Sequence, residues 1–357
     1  MAGEVKKLLF ADGVTVSSPS DLLLGAAEPP QKNLVINGGF DFWQRQVTST
    51  TDTTSTYRTA DRYITRAGGG AAGFQQTRAT DVPSNGYFKY SMNMLENGDA
   101  TANSIIVMNR IEARDVKPYI GKTMTASFWV KKNAISMPDL NLSIITPVSA
   151  TEDSWNADLA VDTLEFFVKP SLTDNTWTQV ELSFVVPANA ANGIAVQLGS
   201  GSYTGVAEIW TTGWMLNEGS AALSTFTRAG NNMQDEFAMC QRFYQKSYSE
   251  AVVPGSVSSP GRRISSSLNP TSNANNDWFR DVQFTTAMRN DSPSATIYSS
   301  LVGTSGFVSM FDVVGAATVE AANTIQFVNR SAMDVRVTTV GANTAGGTFQ
   351  WVVEAEL

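Results

Sequence analysis

Apolar and polar residues alternate along most of the chain between residues 33 and 228. In TMTASFWVKK the apolar side chains of Met124, Ala126, Phe128 and Val130 fall at every second position, and YFKYSMNML and ELSFVVP alternate in the same way. A period of two places such side chains on one face of a β-strand. The runs are short and are separated by turn signals such as SNG and ANG, so this region is predicted to form an antiparallel β-sandwich.

The period changes in NNMQDEFAMCQRFYQKSY. Met233, Phe237, Cys240 and Tyr244 fall at positions i, i+4, i+7 and i+11, which is one stripe of an α-helix. Asn232, a typical N-cap residue, precedes this stripe. The segment is therefore predicted to be a helix that connects two β-regions.

A second β-region follows a segment rich in Ser, Pro, Gly and Asn at residues 249–276. Six short strand-like runs, from WFRDVQFTTAM to GTFQWVVEAEL, predict a smaller β-sandwich. The predicted organisation is an extended N-terminal arm, a large sandwich, a connecting helix and a small sandwich, over residues 1–31, 32–230, 231–248 and 249–357.

The N-terminal arm carries two apolar patches on either side of the turn-forming SSPS. These side chains are costly to leave in water. The arm therefore either folds back on its own domain or docks on a partner protein or another copy of the chain. The residues that would anchor it to a neighbouring subunit are Leu8, Leu9, Phe10, Leu22, Leu23 and Leu24.

Two glycine-containing segments are candidates for binding loops. In LVINGGFDFWQRQ we interpret residues 34–36 as an opening strand, the glycine pair as its turn or bulge, and Phe40, Phe42 and Trp43 as packing side chains. The segment AGGGAAG lacks the Lys-Ser/Thr ending and the following helix of a phosphate-binding loop. We predict that it is the loop of a β-hairpin.

Composition narrows the chemistry. Of 357 residues only 16% are charged, against a usual share of roughly 25%, and Ser, Thr, Asn and Gly fill the difference. The net charge of −8 and the lack of Lys/Arg clusters disfavour a nucleic-acid partner. Histidine is absent and Cys240 is the single cysteine, which excludes Ser-His-Asp and Cys-His catalysis, His-containing zinc sites and an intrachain disulfide.

Neither a signal peptide nor a membrane span is expected. The apolar run in MAGEVKKLLFADGV is too short for a signal peptide, and no run approaches the ~20 residues that cross a bilayer. We expect synthesis in a cytoplasm and no membrane insertion.

Carboxylates are the remaining candidates for catalysis, since glycosidases need only a pair of them. With 33 acidic residues, surface placement is the default, and no catalytic residue is assigned. Oxygen atoms around Asn37, Asp41 and Glu218 are weak candidates for a structural cation, because their spacing matches no defined loop. The carboxylates in strand and turn contexts are Asp41, Asp61, Glu112, Asp115, Glu208 and Glu218.

Trp129 is out of phase with the apolar face of its own strand. Either the second face of that sheet is also covered, or Trp129 is an exposed aromatic platform of the kind on which sugars stack. Trp155, in the polar loop ATEDSWNAD, and Tyr203, in GSGSYTG, are weaker candidates for carbohydrate binding.

Several segments together resemble a group of bacteriophage proteins. NLVINGGFDFWQRQ followed by YRTADRYITR resembles the opening of the carbohydrate-binding-module-like jelly rolls of phage tail-fibre and virion proteins, and WMLNEGSAALSTFTR is similar to their last strand. MCQRFYQKSY resembles the "CQRYY" helix that follows such modules. FTTAMRNDSPSATIYSS and FQWVVEAEL resemble the small β-domain that ends these fibres. The resemblance covers residues 33–248 and, more loosely, 278–357.

The resemblance implies an all-β fold, in which a jelly-roll β-sandwich is followed by one short helix and a second, smaller β-sandwich. It also implies frequent homotrimers, attachment to the virion through the N-terminus, and glycan binding. We therefore expect a non-enzymatic tail or head fibre located on the virion. Its partners would be its own copies, other virion proteins and a host surface polysaccharide, with no cofactor. The alternatives are a capsid decoration protein without a receptor role, a carboxylate-dependent polysaccharide depolymerase and a bacterial carbohydrate-binding accessory module.

Overall fold

The computed structural model describes residues 8–9, 15–16, 32–51, 55–68, 74–96, 104–133, 140–157, 162–201, 206–265, 277–312, 318–337 and 344–357. Fourteen strands lie in the first part of the described chain. They are β1 Leu8–Leu9, β2 Thr15–Val16, β3 Thr48–Thr51, β4 Thr56–Tyr57, β5 Tyr63–Gly68, β6 Phe74–Ala79, β7 Ser91–Glu96, β8 Ser104–Ile111, β9 Thr123–Lys132, β10 Leu140–Thr146, β11 Thr163–Val168, β12 Thr178–Val185, β13 Ile194–Ser200 and β14 Glu208–Glu218.

Strands β3 to β14 form two six-stranded sheets. Sheet I has the order β11-β10-β13-β8-β5-β4 and sheet II the order β12-β9-β14-β7-β6-β3, while β1 pairs only with β2. All of these pairings are antiparallel. One hydrophobic core lies between the sheets, and the predicted inward side chains Met124, Ala126, Phe128 and Val130 are all buried in it. The predicted sandwich is confirmed.

The connection AGGGAAG is not a hairpin loop. Strand β5 before it belongs to sheet I and strand β6 after it belongs to sheet II, so the chain crosses between the two sheets here. Residues 69–73 themselves lie outside the described residues. Alternation identifies both strands, but it carries no information about which sheet each one joins, and the hairpin prediction is wrong for that reason.

The opening segment LVINGGFDFWQRQ is not a strand at residues 34–36. It runs beside β14, where the Leu34 amide donates to the Leu216 carbonyl (3.0 Å) and the Trp214 amide donates to the Gly38 carbonyl (2.9 Å). A Cβ on Gly38 would lie 2.1 Å from the Trp214 carbonyl oxygen, so only glycine permits this approach. Phe40, Phe42 and Trp43 are buried, as expected for packing side chains.

The helices are short. They are α1 Ala113–Val116 and α2 Met233–Gln241, with 3-10 turns at Lys117–Tyr119 and Ala188–Asn192. The side chain of Asn232 accepts hydrogen bonds from two backbone amides at the start of α2, which confirms the predicted N-cap. None of the described helices is long and apolar enough to cross a membrane.

Helix α2 ends earlier than predicted. Its expected stripe continued to Tyr244, but that residue begins a strand whose backbone pairs with residues 352–354 near the end of the chain. The helix predicted over residues 231–248 is therefore confirmed for its first half and wrong for its second half, because pairing with a distant strand competes with the helix there.

Eight strands make up the second part. They are β15 Tyr244–Lys246, β16 Arg263–Ser265, β17 Asp277–Gln283, β18 Ser294–Ser299, β19 Phe307–Asp312, β20 Thr318–Gln326, β21 Ala332–Val337 and β22 Thr344–Glu354. Their order is β15-β22-β19-β20-β21-β17, and β16 and β18 also pair with β22. They enclose a second core that includes Ile297, Met310, Val335 and Phe349. The all-β fold class is confirmed. The strands of the second part belong to one eight-stranded sheet that encloses its own core, and we call this unit the second sandwich.

Buried charges join the two cores. Glu356, just after β22, accepts a hydrogen bond from Arg45 (2.9 Å) and forms an ion pair with Arg62, and the side chains of these residues are 10%, 8% and 1% exposed. The two guanidinium groups also lie over rings of the connecting segment, Arg45 at 3.9 Å from the Tyr244 centroid and Arg62 at 3.5 Å from that of Phe243. The connecting segment CQRFYQKSY (residues 240–248) therefore contacts buried charged side chains of the first sandwich.

Asp61 lies beside the same charges. Burial raises the pKa of this carboxyl to about 6, against the opposing effects of the Arg45 guanidinium and the hydrogen bonds from Gln44. The Gln44 side-chain amide donates to Asp61 (2.7 Å) and to the Tyr244 carbonyl (3.1 Å), so this network also reaches the connecting segment.

Candidate functional site

Three indole rings lie on the outward side of sheet II. Trp129 is on β9, Trp210 is on β14, and Trp177 immediately precedes β12. Their sequence neighbours Phe128 and Ile209 are buried in the core between the sheets, so Trp129 and Trp210 point the other way. All three indoles are half-buried. We call the outward surface formed by Trp129, Trp177, Trp210, Lys131 and Asp81 the aromatic face.

Lys131 lies between two of these rings. It is directly opposite Trp210 in the β9–β14 pairing, and its Nζ lies 4.1 Å from the Trp210 centroid and 5.8 Å from the Trp177 centroid. An ammonium group at these distances is attracted to the face of an indole. The two rings are therefore held beside a fixed positive charge.

Asp81 completes this end of the face. It forms an ion pair with Lys131 and accepts a hydrogen bond from the Trp177 indole N–H (3.0 Å). Partial burial opposes the charged form of Asp81, but the hydrogen bonds from Lys131 and Trp177 outweigh it and hold the pKa of this carboxyl below its usual value. The carboxylate stays charged at neutral pH and orients the Trp177 ring.

A glycine sets the position of Trp129. The β9–β14 register shifts between Thr212 and Met215, and Gly213 inside this bulge has a φ of +67°. A Cβ on Gly213 would lie 2.9 Å from Cδ1 of Trp129 and 2.5 Å from Cζ of Phe88. The Trp129 ring therefore lies directly against the backbone of β14, so one part of it is covered and the other part faces outward.

Further aromatic rings extend from Trp129 to a groove. Phe88 contacts Phe226 at a centroid distance of 5.0 Å and Tyr87 at 6.2 Å, and Tyr87 is 44% exposed. Tyr87 and Phe226 line a groove of about 1060 Å³ beside helix α2. The guanidinium of Arg228, in the wall of this groove, is fixed by ion pairs with both Asp41 (2.6 Å) and Glu236 (2.8 Å).

This arrangement suits a ligand with apolar faces and polar edges. Indole rings provide large, rigid, apolar surfaces at a low cost in conformational entropy. Polar side chains lie in the same row of sheet II, where Asn93 is directly opposite Trp210 and donates to Glu208 (2.9 Å). A pyranose ring has this combination of a C–H face and peripheral hydroxyl groups.

The residues predicted to bind carbohydrate do not come together. Trp155 lies on the opposite side of the sandwich, where it packs against Ile64 and Met108 on the outward side of sheet I. Tyr203 lies outside the described residues. Trp177 and Trp210, which accompany Trp129, were missed by the sequence reasoning, although Trp210 follows the inward Ile209 and is out of phase with it.

Little of the predicted anchor is described. Phe10, Leu22, Leu23 and Leu24 lie outside the described residues, and of Leu8 and Leu9 only the backbone is described, as strand β1. Their anchoring role stays a prediction.

The candidate carboxylates have protein partners. Asp41 pairs with Arg228, Glu218 with Lys122 (3.2 Å) and Glu112 with Arg242. The others pair or hydrogen-bond as Asp61 with Gln44, Asp115 with Arg114, and Glu208 with Asn93 and Asn133. In the described part of the chain, no three acidic or cysteine side chains are grouped to hold a metal ion.

Comparisons with known proteins give partial likenesses only. No protein-family model matches the chain. No curated protein matches it either. Among solved structures, the chain is similar to the enzymatically active domain of tailspike protein 4 from bacteriophage CBA120, with 16% identity over 52% of this chain and a TM-score of 0.33. That alignment spans 21% of the tailspike chain, about a fifth of its length.

Two carbohydrate-binding modules give similar values. One is the CBM22-1 xylan-binding domain from Paenibacillus barcinonensis, at 13% identity and a TM-score of 0.31, covering 54% of this chain and 100% of that domain. The other is TmCBM61 in complex with β-1,4-galactotriose, at 10% identity and a TM-score of 0.31, covering 53% of this chain and 99% of that module. With scores this low, the β-sandwich assignment rests on the strand pairing and the cores described above.

Proposed function

We propose that this chain is a non-enzymatic bacteriophage virion protein, a short trimeric tail or head fibre that binds a host-surface glycan through the aromatic face. The observation that carries the binding proposal is the placement of Trp129, Trp177 and Trp210 on one outward face beside Lys131. Outward tryptophans on a sheet whose other side is packed do not contribute to the core between the sheets, and aromatic side chains clustered on an outward face are typical of binding surfaces. The phage assignment rests on the sequence resemblance.

Removing Trp129 should weaken glycan binding without unfolding the protein. The full chain is screened on a broad array of bacterial surface polysaccharides, and the affinity for the strongest binder is then measured for the variants. Trp129→Ala and Trp210→Ala should each lower the affinity about 5- to 150-fold, the equivalent of ~1–3 kcal/mol for the loss of a well-placed aromatic contact.

Phe327→Ala is the matched control, because Phe327 is an aromatic residue of the second sandwich that is 71% exposed. It should bind like the wild type. The glycan-binding proposal fails if no polysaccharide binds the wild type, or if Phe327→Ala weakens binding as much as Trp129→Ala. An increase in reducing ends on incubation with the bound polysaccharide would identify a depolymerase and overturn the non-enzymatic assignment.

We further propose that the N-terminal arm attaches the protein to the virion. In the described part of the chain, the residues of both cores all lie after position 33, so we expect deletion of residues 2–31 to leave both cores intact. The deletion variant should be soluble and folded by circular dichroism but absent from purified particles when it replaces the wild type during phage growth. Normal incorporation of the variant would contradict anchoring by the arm.

A further inference from the structure

A cleft lies between the two sandwiches, on the opposite side of the first sandwich from the aromatic face. Its volume is about 610 Å³, within the ~300–1,000 Å³ typical of small-ligand pockets. Both sandwiches contribute to its lining, so the cleft exists only where the two meet. The lining side chains that matter for the argument are Tyr57, Arg110, Trp155, Asn290, Ser292 and Ser294.

Four polar atoms at this cleft are buried and have no hydrogen-bonding partner among the described residues. They are the hydroxyl oxygens of Ser55 and Thr56, the Nε of Arg110 and the indole Nε1 of Trp155. Buried polar groups in folded proteins almost always have a partner, so four of them beside one cleft is unusual. Two are pure N–H donors and two are hydroxyl groups that can donate or accept.

Arg110 is fixed through its two terminal nitrogens, while its Nε has no hydrogen-bond partner among the described residues. Its guanidinium is 4% exposed, and its two terminal nitrogens donate to the Leu357 main-chain oxygen (2.7 Å) and to the Asn156 carbonyl (3.1 Å). The guanidinium also lies 4.9 Å from the ring centroid of Trp155. Because Trp155 packs its apolar surface on Ile64 and Met108, both N–H donors are held rigidly.

The charges around the cleft favour a neutral ligand. Glu354 and Glu356 are in its wall, and Glu354 is half-exposed there. The carboxylates would repel an anionic ligand, and the rigid N–H donors, which bind acceptor atoms, would disfavour a cation. Asn290, Ser292 and Ser294 add amide and hydroxyl groups from the second sandwich. A neutral, hydroxyl-rich molecule satisfies donors and acceptors from several directions.

We propose that this cleft binds a neutral hexose unit, at a site separate from the aromatic face. The sugar hydroxyls accept hydrogen bonds from Arg110 Nε and Trp155 Nε1. They donate to, or accept from, the hydroxyl groups of Ser55 and Thr56. Asn290 and Ser294 contact the outer edge of the ring. The cleft site does not depend on glycan binding at the aromatic face.

The test uses the full chain and saturation-transfer NMR with methyl β-D-glucopyranoside, methyl β-D-galactopyranoside, cellobiose and lactose, and with glycerol as a control polyol. At least one saccharide should bind saturably, and glycerol at the same concentration should not displace it. Trp155→Phe keeps the ring and its packing but removes the N–H, and should weaken binding at least fivefold. Ser294→Trp fills the mouth of the cleft from an exposed strand position and should weaken it at least tenfold. Ser292→Trp serves in its place if that variant does not fold.

Three results would overturn the proposal. The first is no saturable binding of any of the four saccharides. The second is displacement by glycerol or wild-type affinity in the cleft-filling variant. The third is binding that Trp129→Ala abolishes and Ser294→Trp preserves, which would assign the sugar to the aromatic face and leave the proposed function standing. Loss of array binding in Trp129→Ala with saccharide binding retained in the cleft would establish two sites.

Discussion

Glu356→Ala should lower the free energy of unfolding by about 3–5 kcal/mol. Glu356 is the carboxylate that both Arg45 and Arg62 contact, and all three side chains are almost fully buried. Removing one partner of a buried ion pair leaves the remaining charge without compensation in a poorly solvated place. Here Arg62 loses its ion pair, and among the described residues Arg45 keeps only the more distant Asp61 (3.8 Å) and Glu354 (3.6 Å). Urea denaturation of the full chain, followed by tryptophan fluorescence, measures the change.

Glu354→Ala is the control, since Glu354 is two residues away and also near Arg45 (3.6 Å), but its side chain is 49% exposed. An exposed ion pair of this kind contributes at most ~1 kcal/mol.

Because the two hydrophobic cores are separate, Glu356→Ala should also split the unfolding into two transitions. Equal destabilisation by the two alanine variants would contradict the role given to Glu356.

Trp214→Ala should destabilise the protein by about 3–5 kcal/mol, the usual cost of replacing a buried tryptophan with alanine. The Trp214 ring is fully buried, stacks on Phe128 at 4.9 Å and meets Tyr63 edge to face at 5.2 Å. Its N–H donates to the Thr211 hydroxyl (2.7 Å), and the substitution would remove this buried hydrogen bond, although the same hydroxyl still donates to the Trp129 carbonyl (3.0 Å). Chemical denaturation again provides the measurement.

Trp210→Ala is the matched comparison, because it removes the same side chain four residues earlier on the same strand. Trp210 points outward and is half-buried, so its loss should cost at most ~1 kcal/mol of stability. Trp214→Ala should therefore lower the free energy of unfolding, whereas Trp210→Ala should lower the affinity for the proposed glycan ligand. The assignment of the two faces of β14 is wrong if Trp210→Ala is as destabilising as Trp214→Ala.

The strands could be predicted from sequence because their alternation is local and regular. Every second residue from Met124 to Val130 on β9 faces the core, as predicted. The six strand-like runs of the second region correspond to β17–β22. Asn232 was recognisable as an N-cap because its side chain acts on amides two and three residues away. In each case the structure depends on neighbouring residues only.

Features that depend on distant partners could not be predicted. Tyr244 leaves the helical pattern because β22, more than a hundred residues later, pairs with its backbone. The crossing between sheets after β5 likewise depends on which strands each neighbour pairs with. The hairpin and the longer helix were reasonable local choices that long-range pairing overrode.

The aromatic face was only partly predictable for the same kind of reason. Strict alternation would place Trp210 and Trp214 on one face of β14, since they are four residues apart. The bulge at Gly213 shifts the phase between them, so one points outward and the other into the core. Trp129 was detected because β9 has no such shift. A glycine between two tryptophans is the sequence signal that was available and not used.

The alternation on β9 and β14 separates two kinds of selective pressure on this chain. Inward residues such as Phe128 and Trp214 are constrained by the packed core. Outward residues such as Trp129 and Lys131 can be exchanged with little penalty to folding, so the proposed glycan preference could change while the scaffold stays the same. Gly213 is the exception, because any side chain there would displace Trp129 and Phe88 together. It is the outward position on which we expect variation to be least tolerated.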